Sequence, residues 1–362
     1  MIQLFRPIIT KEMEEAAIHA LQNERLVLGE SVSKFEELFA RYCGAEHAVS
    51  TSSGTNALEL ALKSLDVQSK EIITCPSSFI ASSNAIIHAG AKPVFVDSDG
   101  EAYNIDADRI EEKITGKTKA ILPIHIYGTP CEMDRINEIA GRNGLFVVED
   151  ACQAHGATYK GRKAGSLGTV GCFSFYSTKN LTVGGDGGMI VTNDKKIADM
   201  AAKLRNCGRI GQYEHDVLGY TSRLNTVNAA IGIVQLKHLD RWNEARHSLA
   251  SVYFRELKEL EGFALPKIPP YIKSSFHLFA CRAKDRNGLA GYLEKKEIQT
   301  SSHYPIPIHL QPIYRKLFNY REGDYPAAER LSKEVICLPI HPQLKTEEVK
   351  YISESVRSFC NG

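Results

Sequence analysis

The sequence predicts an α/β protein with a large domain built on a mostly parallel sheet and a smaller C-terminal α/β domain. In the first half, short apolar segments alternate with segments of helical periodicity, which is typical of a parallel sheet covered by helices. Acidic residues directly follow several of the apolar segments, at the strand ends where open α/β sheets gather functional groups. The 362 residues, 43% of them hydrophobic, are enough for two cores.

The individual elements are predicted from apolar spacing, capping residues and glycines. Ser33 and Glu36 form a capping-box pattern that opens a helix, and Gly44 ends it. Further helices are predicted over residues 57–65, 79–88, 133–143, 197–206 and 227–246. Strands are predicted over residues 71–74, 93–97, 120–124, 145–148, 172–176 and 189–192.

The composition changes after about residue 262, where prolines cluster and the predicted strands become short. The long helix over residues 227–246 is predicted to lead from one domain to the next. We therefore predict a large domain over residues 1–245 and a small domain over residues 246–362.

Charge and cysteine usage exclude several classes of protein. The 44 basic and 43 acidic residues give a net charge of +1, which argues against nucleic acid or an anionic membrane as the main partner. Nine scattered cysteines show no spacing typical of a zinc site or a redox motif, so reduced thiols and no metal are predicted. The chain shows no signal-peptide pattern and no apolar run of about 18 residues, and a cytoplasmic protein is expected.

Lys179 lies between an apolar strand and a turn that contains four glycines within residues 184–188. A lysine in such a place is usually a solvated loop residue. Here it follows, by 29 positions, an apolar strand that ends in two adjacent acids, Glu149 and Asp150. An amine that forms a Schiff base and an acid that holds a charged pyridine nitrogen are the minimum set for a pyridoxal phosphate (PLP) enzyme.

Other motifs fit the same cofactor, and each also has a simpler interpretation. Small residues over 52–58 lead into a helix, whose first N–H groups can bind a phosphate or merely be capped. Phe79 can cover a flat ring or belong to the core. Gln153 can bond a ring oxygen, and His155 can line a pocket; alternatively, Asp150 caps a helix and Gln153 completes its capping box.

The order of these motifs resembles the DegT/DnrJ/EryC1/StrS family of PLP-dependent sugar aminotransferases. The resemblance covers nearly the whole chain and includes Ser-Gly-Thr-Asn-Ala-Leu, Glu-Asp-Ala-Cys-Gln-Ala and Phe-Ser-Phe-Tyr-Ser-Thr-Lys-Asn-Leu-Thr. It continues through Arg-Leu-Asn-Thr-Val-Asn-Ala-Ala-Ile and His-Tyr-Pro-Ile-Pro-Ile-His. It implies fold type I, the aspartate aminotransferase-like architecture, in a homodimer with shared active sites.

The resemblance also implies roles for individual residues. Lys179 matches the Schiff-base lysine, Asp150 the partner of the pyridine nitrogen, and Gln153 the neighbour of the ring hydroxyl. The residues that match the family's phosphate-binding cup are Ser53, Gly54, Thr55 and Ser174. Phe79 matches the aromatic residue that stacks on the cofactor ring.

The chain departs from the family pattern at one informative position. Thr221 stands where many relatives carry an asparagine that reaches the phosphate across the dimer interface, and Asn225 is a possible substitute.

The resemblance implies transamination through an internal aldimine on Lys179. The amino group would pass from L-glutamate, or glutamine, to a ketosugar that is linked to a nucleoside diphosphate. Candidate substrate contacts, for each of which a packing role is an equal alternative, are Arg25, Arg223, His303, Tyr304 and His309.

Four alternatives compete with this function. Some relatives aminate cyclitols, and nothing in the sequence separates the two substrate classes. Dehydratase relatives carry histidine in place of the lysine, and Lys179 argues against that activity. A regulatory protein that has lost turnover has no need of the full set Lys179, Asp150, Gln153 and Ser174. A dinucleotide-binding dehydrogenase would need Gly-x-Gly-x-x-Gly after its first strand, and the chain has none there.

Overall fold

A computed structural model describes residues 1–362 of the chain. The helices are α1 (Lys11–Asn23), α2 (Glu30–Cys43), α3 (Gly54–Ser64), α4 (Ile80–His88), α5 (Met133–Asn143), α6 (Lys195–Leu204), α7 (Thr226–Glu256), α8 (Arg286–Lys295), α9 (Pro312–Phe318), α10 (Pro326–Glu334) and α11 (Thr346–Cys360). The strands are β1 (His47–Thr51), β2 (Glu71–Thr74), β3 (Lys92–Phe95), β4 (Thr118–Ile121), β5 (Phe146–Asp150), β6 (Thr158–Tyr159), β7 (Arg162–Lys163), β8 (Val170–Ser174), β9 (Gly188–Thr192), β10 (Phe263–Ala264), β11 (Ile272–Lys273), β12 (Phe279–Ala283) and β13 (Val335–Leu338).

Seven strands form the central sheet in the order β1-β9-β8-β5-β4-β2-β3. All neighbouring pairs are parallel except those of β9, which runs antiparallel to both β1 and β8. The predicted mostly parallel sheet is therefore confirmed. Because parallel strands end at one edge, the residues that follow β5 and β8 lie close together.

Helices cover both faces of this sheet, and the alternation of β5 assigns its residues to the two faces. Val148 packs in a core with residues of α3 and α4, whereas Val147 packs in a second core with residues of α2, α5 and α7. By the same alternation, Asp150 belongs to the α3 and α4 face and Glu149 to the opposite face. A third core lies in the C-terminal part, around β12, β13, α8 and α11.

Most of the predicted helix and strand ends differ from the structure by one to three residues, and helices α2 and α7 show the two informative differences. Helix α2 begins at Glu30, three residues before Ser33. The prediction that Ser33 and Glu36 form a capping box at the start of this helix is therefore wrong. Glu36 bonds instead to the Ser50 N–H and hydroxyl, at 2.8 and 2.7 Å, and pairs with Arg205. Helix α7 is longer than predicted and runs through residue 245 without a break.

The N-terminal residues contact the C-terminal part of the chain. Ile2 forms a parallel bridge with Ile298, and the Leu4 N–H donates to Gln299 Oε1 at 3.0 Å. The division into domains over residues 1–245 and 246–362 stays a prediction. All nine cysteines are free, and none of the helices combines the length and hydrophobicity that crossing a membrane requires.

Candidate active site

A cavity of about 560 Å³ opens at the C-terminal ends of β5 and β8, beside the N-termini of α3 and α4. Its volume is in the range of small-molecule sites. Ten of the predicted site residues line it: Ser53, Gly54, Thr55, Phe79, Asp150, Gln153, Ser174, Lys179, His303 and Tyr304. The fold thus brings together side chains that lie up to about 250 residues apart in sequence.

Lys179 lies in the turn between β8 and β9, and its backbone N–H donates to the Tyr176 carbonyl at 2.8 Å. The next residue anchors this turn, because Asn180 Nδ2 donates to Asn243 Oδ1 at 2.9 Å and to the Ser275 carbonyl at 2.8 Å. Burial lowers the pKa of the Lys179 amine below its ordinary value, an effect that Cys152 and Asp150 partly oppose. A lowered pKa leaves more of the amine neutral and able to act as a nucleophile or a base.

Asp150 is buried at the end of β5, where its carboxylate lines the cavity. Its Oδ2 accepts a hydrogen bond from the Ser82 hydroxyl at 2.6 Å, and its Oδ1 accepts one from the Cys152 N–H at 3.2 Å. Residues 151–157 form turns rather than a helix, so the interpretation of Asp150 as a helix N-cap is wrong. The carboxylate is instead held in place at the cavity wall.

Glu149 is fully buried on the opposite face of the sheet. Its Oε1 accepts from the N–H groups of Leu167 and Gly168, both at 2.6 Å. Its Oε2 accepts from the Gly165 N–H at 2.7 Å and contacts His125 Nε2 at 2.9 Å. His125 Nδ1 accepts from a backbone N–H, so the Nε2 nitrogen carries the proton and donates to Glu149.

Gln153 is fixed by hydrogen bonds at both ends of its amide. The Tyr127 N–H donates to Gln153 Oε1 at 2.7 Å, and Gln153 Nε2 donates to the Tyr304 hydroxyl at 3.3 Å. These bonds define the orientation of the amide and place its N–H₂ group beside the cavity.

The N-terminus of α3 presents free donors to the cavity. Ser53 caps the helix by accepting from the Asn56 N–H at 3.2 Å, and the N–H groups of Gly54 and Thr55 have no acceptor within the chain. A Cβ atom on Gly54 would lie 2.6 Å from the Ser174 Cβ and 2.9 Å from the Cys152 Sγ. Only glycine allows α3 to approach β8 this closely, which brings its N–H groups beside the Ser174 hydroxyl.

Aromatic and imidazole side chains form the outer wall of the cavity. Phe79 remains 53% exposed, so it is not a core residue, and its ring centroid lies 5.6 Å from that of Tyr304. His303 Nδ1 lies 2.8 Å from the Ser301 hydroxyl. Burial, together with the charge of Lys179, lowers the pKa of His303 to about 4.

Five predicted site residues do not line the cavity of their own chain. Thr221 and Asn225 are exposed, and Asn225 caps α7 by accepting from the Asn228 N–H at 2.9 Å. Arg25 donates to the Val27 carbonyl at 2.8 Å, and Arg223 donates to Asn206 Oδ1 at 2.9 Å.

The fifth, His309, is fully buried. Its Nε2 lies 3.0 Å from Glu329 Oε1, and its ring packs on Tyr325. The structure gives it a packing role.

His155 also lies away from the cavity. Its ring packs between Phe173 and Phe175, with centroid distances of 5.3 and 5.8 Å, and neither ring nitrogen has a partner. Burial, with a smaller effect from the charge of Lys179, lowers its pKa to about 3. The expectation that His155 lines the pocket is wrong.

Sequence reasoning missed several residues of the site. Ser82 holds Asp150, Tyr127 holds Gln153, and His277 and Asp186 line the cavity. Ser82 lies in the first turn of α4, three residues after Phe79, so the helical period could have placed it near the cavity. No local pattern marks Tyr127 or His277, because their neighbours are distant in sequence.

This fold and site define a class, the PLP-dependent aminotransferases of fold type I. The model of the DegT/DnrJ/EryC1/StrS aminotransferase family matches residues 7–357, and the chain belongs to that family. The predicted family and fold are thereby confirmed.

Individual relatives are similar along nearly their whole length. The chain is 42% identical to a pleiotropic regulatory protein of Geobacillus stearothermophilus, over 98% of this chain and 95% of the relative. It is 40% identical to the dTDP-3-amino-3,4,6-trideoxy-alpha-D-glucose transaminase of Streptomyces venezuelae, over 96% and 92%. The crystal structure of S. venezuelae DesV in complex with a ketimine intermediate has a TM-score of 0.95, at 40% identity, covering 97% of this chain and 95% of DesV.

The residues of the cavity fit the cofactor that the family implies. An amine, a buried carboxylate, an oriented amide and an exposed aromatic ring surround one space. The two free N–H groups of α3 and the Ser174 hydroxyl form a cradle that a Cβ atom on Gly54 would fill. This donor set suits a flat ring that carries a hydroxyl, a basic nitrogen and a phosphate.

Proposed function

We propose that the chain transfers an amino group from L-glutamate, or glutamine, to a ketosugar linked to a nucleoside diphosphate, with PLP held on Lys179. The observation that carries the proposal is the joint presence of Lys179 and Asp150 in one cavity with the free N–H groups of Gly54 and Thr55. The S. venezuelae relative, named for a dTDP-amino sugar, supports the substrate class.

Each residue has a distinct task in this proposal. PLP, when bound, supplies an electron sink for the carbon that loses its proton. Lys179 accepts that proton and returns it at a neighbouring carbon, a task helped by its lowered pKa. Asp150 holds the ring nitrogen and Gln153 the ring hydroxyl, while Phe79 covers one face of the ring.

The phosphate would be bound by neutral donors. The N–H groups of Gly54 and Thr55 sit at the positive end of α3, and Ser174 adds a hydroxyl. On the sugar side, His303 and Tyr304 line the cavity. A neutral His303 ring, favoured by its lowered pKa, can accept or donate a hydrogen bond to a sugar hydroxyl.

We further propose a homodimer in which a second copy completes the cavity. Asn225 and Val27 form a bridge, and Thr226 donates to the Arg25 carbonyl at 2.7 Å, so Arg25 and Asn225 share one exposed patch. Thr221 is also exposed, and in the dimer its hydroxyl would come from the partner copy.

The free thiols fit a cytoplasmic location.

A mixed dimer tests the shared site. One copy would carry Lys179→Ala and the other Asn225→Ala together with Thr221→Ala, so that each homodimer lacks one kind of group at both sites. In the mixed dimer, one of the two sites combines an intact Lys179 from one copy with intact Thr221 and Asn225 from the other. We therefore expect the mixed dimer to have about half of the activity of the wild-type dimer. No recovery would contradict the contribution of the second copy.

Absorption spectroscopy tests the reaction itself. Purified protein with PLP should show the visible band of lysine-bound cofactor, and L-glutamate should convert it to the near-ultraviolet band of pyridoxamine phosphate. Lys179→Ala should abolish the visible band. A band that responds to glutamine but not to L-glutamate would identify glutamine as the donor. The absence of any band would overturn the proposal and favour a regulatory role, the role for which the G. stearothermophilus relative is named.

The identity of the acceptor is tested by adding candidate acceptors to the pyridoxamine phosphate form of the enzyme. Nucleotide-linked ketosugars should restore the visible band, whereas an inosose should not. Restoration by the inosose and not by the ketosugars would establish the cyclitol alternative.

A further inference from the structure

A second, smaller cavity of about 20 Å³ adjoins Lys179. It shares Phe5, Thr178 and Lys179 with the main cavity. Its remaining charged lining consists of Arg6 and Arg246, and no aspartate or glutamate lines it. Three basic side chains therefore surround a small space that contains no acidic group.

Arg246 is the unusual member of this group because it is buried without a counter-charge. It lies in α7 and is only 7% exposed. Its Nη1 donates to the carbonyls of Phe276 and Ile340, at 3.3 and 2.5 Å, whereas its Nε has no partner. Burial lowers its pKa to about 9, and no neighbouring acid offsets this effect. A buried guanidinium without an anion is costly, and such groups are normally paired.

The size and lining of the cavity limit what can occupy it. About 20 Å³ is somewhat more than the ~10–15 Å³ that one water needs, so the cavity admits a single small ion or group. Asn180, Thr182 and Gln235 add polar atoms to the wall. A phosphate or a sugar is too large for this space.

We propose that this cavity binds one small monovalent anion, a halide ion or a carboxylate group, against the Nε of Arg246. The anion offsets the buried positive charge of Arg246. This site lies outside the proposed phosphate cradle at Gly54, and the inference does not depend on which substrate is aminated.

Crystals of the PLP-loaded protein test the site and distinguish the two sources of anion. In sodium bromide, an anomalous peak beside Arg246 Nε would establish a halide site. In halide-free crystals with L-glutamate, a carboxylate at the same position would establish the carboxylate source. A water molecule alone under both conditions would overturn the proposal.

Thermal unfolding provides a test in solution. The melting temperature of the wild type should rise as sodium chloride replaces the sodium salt of HEPES, a bulky sulfonate, at constant ionic strength, because HEPES carries no carboxylate and is too large for the cavity. Arg246→Lys should lose this rise. Arg205→Lys is the matched control, since Arg205 is also buried but is paired with Glu36. An equal rise in the melting temperature of all three proteins would contradict the anion site. If Arg246→Lys does not fold, the presence or absence of the bromide peak in wild-type crystals decides the question.

Discussion

Glu149 and Asp150 are adjacent acids whose surroundings differ completely. Glu149, on the α2 and α5 face of the sheet, accepts three backbone N–H bonds and one from His125. Asp150, on the other face, has one hydroxyl and one backbone partner and lines the cavity. The Glu149 carboxylate therefore holds the loop over residues 165–168 in place, whereas the Asp150 carboxylate is available to a ligand in the cavity.

The same contrast extends over the two faces of the sheet. On the Glu149 face, His155 is enclosed by Phe173 and Phe175 with no polar partner. On the cavity face, Lys179 and the N-terminus of α3 hold donors with no acceptor in the chain. Changes on the first face should therefore affect stability, and changes on the second should affect cofactor binding and turnover.

Loss of the cavity amine should give the largest effect. Lys179→Ala removes the group that binds PLP and moves the proton, and activity should fall at least about 10⁴-fold, with the melting temperature nearly unchanged. Lys163→Ala is a matched control, because burial also lowers the pKa of Lys163, which lies over the Tyr42 ring on the opposite face. Equal losses of activity in the two variants would show that the cavity amine has no special role.

Glu149→Gln should destabilise the protein by about 3–5 kcal/mol, because an amide cannot replace a buried carboxylate that accepts four hydrogen bonds. The free energy of unfolding in urea measures this loss. The folded fraction should keep its turnover number. A stability equal to that of the wild type would contradict the structural role of Glu149.

Asp150→Asn should reduce turnover about 10²–10³-fold, because an amide cannot offset the charge of a protonated ring nitrogen. The unfolding free energy should change little, since the amide can still bond to Ser82 and to the Cys152 N–H. Steady-state kinetics and urea unfolding on the same sample check both expectations. Unchanged turnover would remove Asp150 from the proposed mechanism.

Gly54→Ala should cost about 1–3 kcal/mol of stability and weaken PLP binding, because its Cβ would lie 2.6 Å from the Ser174 Cβ. Equilibrium titration with PLP and thermal unfolding measure the two effects. Gly141→Ala is the control: Gly141 lies in α5 with nothing within 4 Å of its Cβ position. That substitution should stabilise the protein by about 0.5–1 kcal/mol.

His155→Leu should alter the acid dependence of stability. The pKa of His155 is about 3 in the folded protein, below its ordinary value of 6.5. As the pH falls from 6.5 towards 3, the unfolded chain takes up a proton that the folded protein does not, so stability is lost. The free energy of unfolding in urea, measured over this range, should fall less steeply with decreasing pH in the variant, by up to about 1.4 kcal/mol per pH unit. Parallel curves would contradict the buried neutral ring.

Local sequence patterns were sufficient for elements whose ends are set by local groups. Helix α5 has the predicted bounds, because its amphipathic period is clear and Gly144 ends it with a φ of 62°. Strand β2 also has its predicted bounds. The start of α2 was wrong because Glu36 binds Ser50 and Arg205 instead of capping its own helix, and these contacts depend on the tertiary fold.

The site was predictable to the extent that its motifs follow strands or open helices. Lys179, Asp150 and Gly54 are of this kind, and the structure places all three around one cavity. The local pattern could not show which of the two adjacent acids faces the cavity, because that depends on the pairing and covering of β5; only the family resemblance singled out Asp150. Nor could it place Ser82 against Asp150, a contact between residues 68 positions apart.

The most direct test of the contrast between the two faces is a single-turnover measurement with L-glutamate on Asp150→Asn and Glu149→Gln, each corrected for the fraction of folded, PLP-loaded protein. We predict a rate reduced about 10²–10³-fold in Asp150→Asn and close to that of the wild type in Glu149→Gln. Equal rates in the two variants, or a slower reaction in Glu149→Gln, would contradict the assignment of chemistry to one face of the sheet and stability to the other.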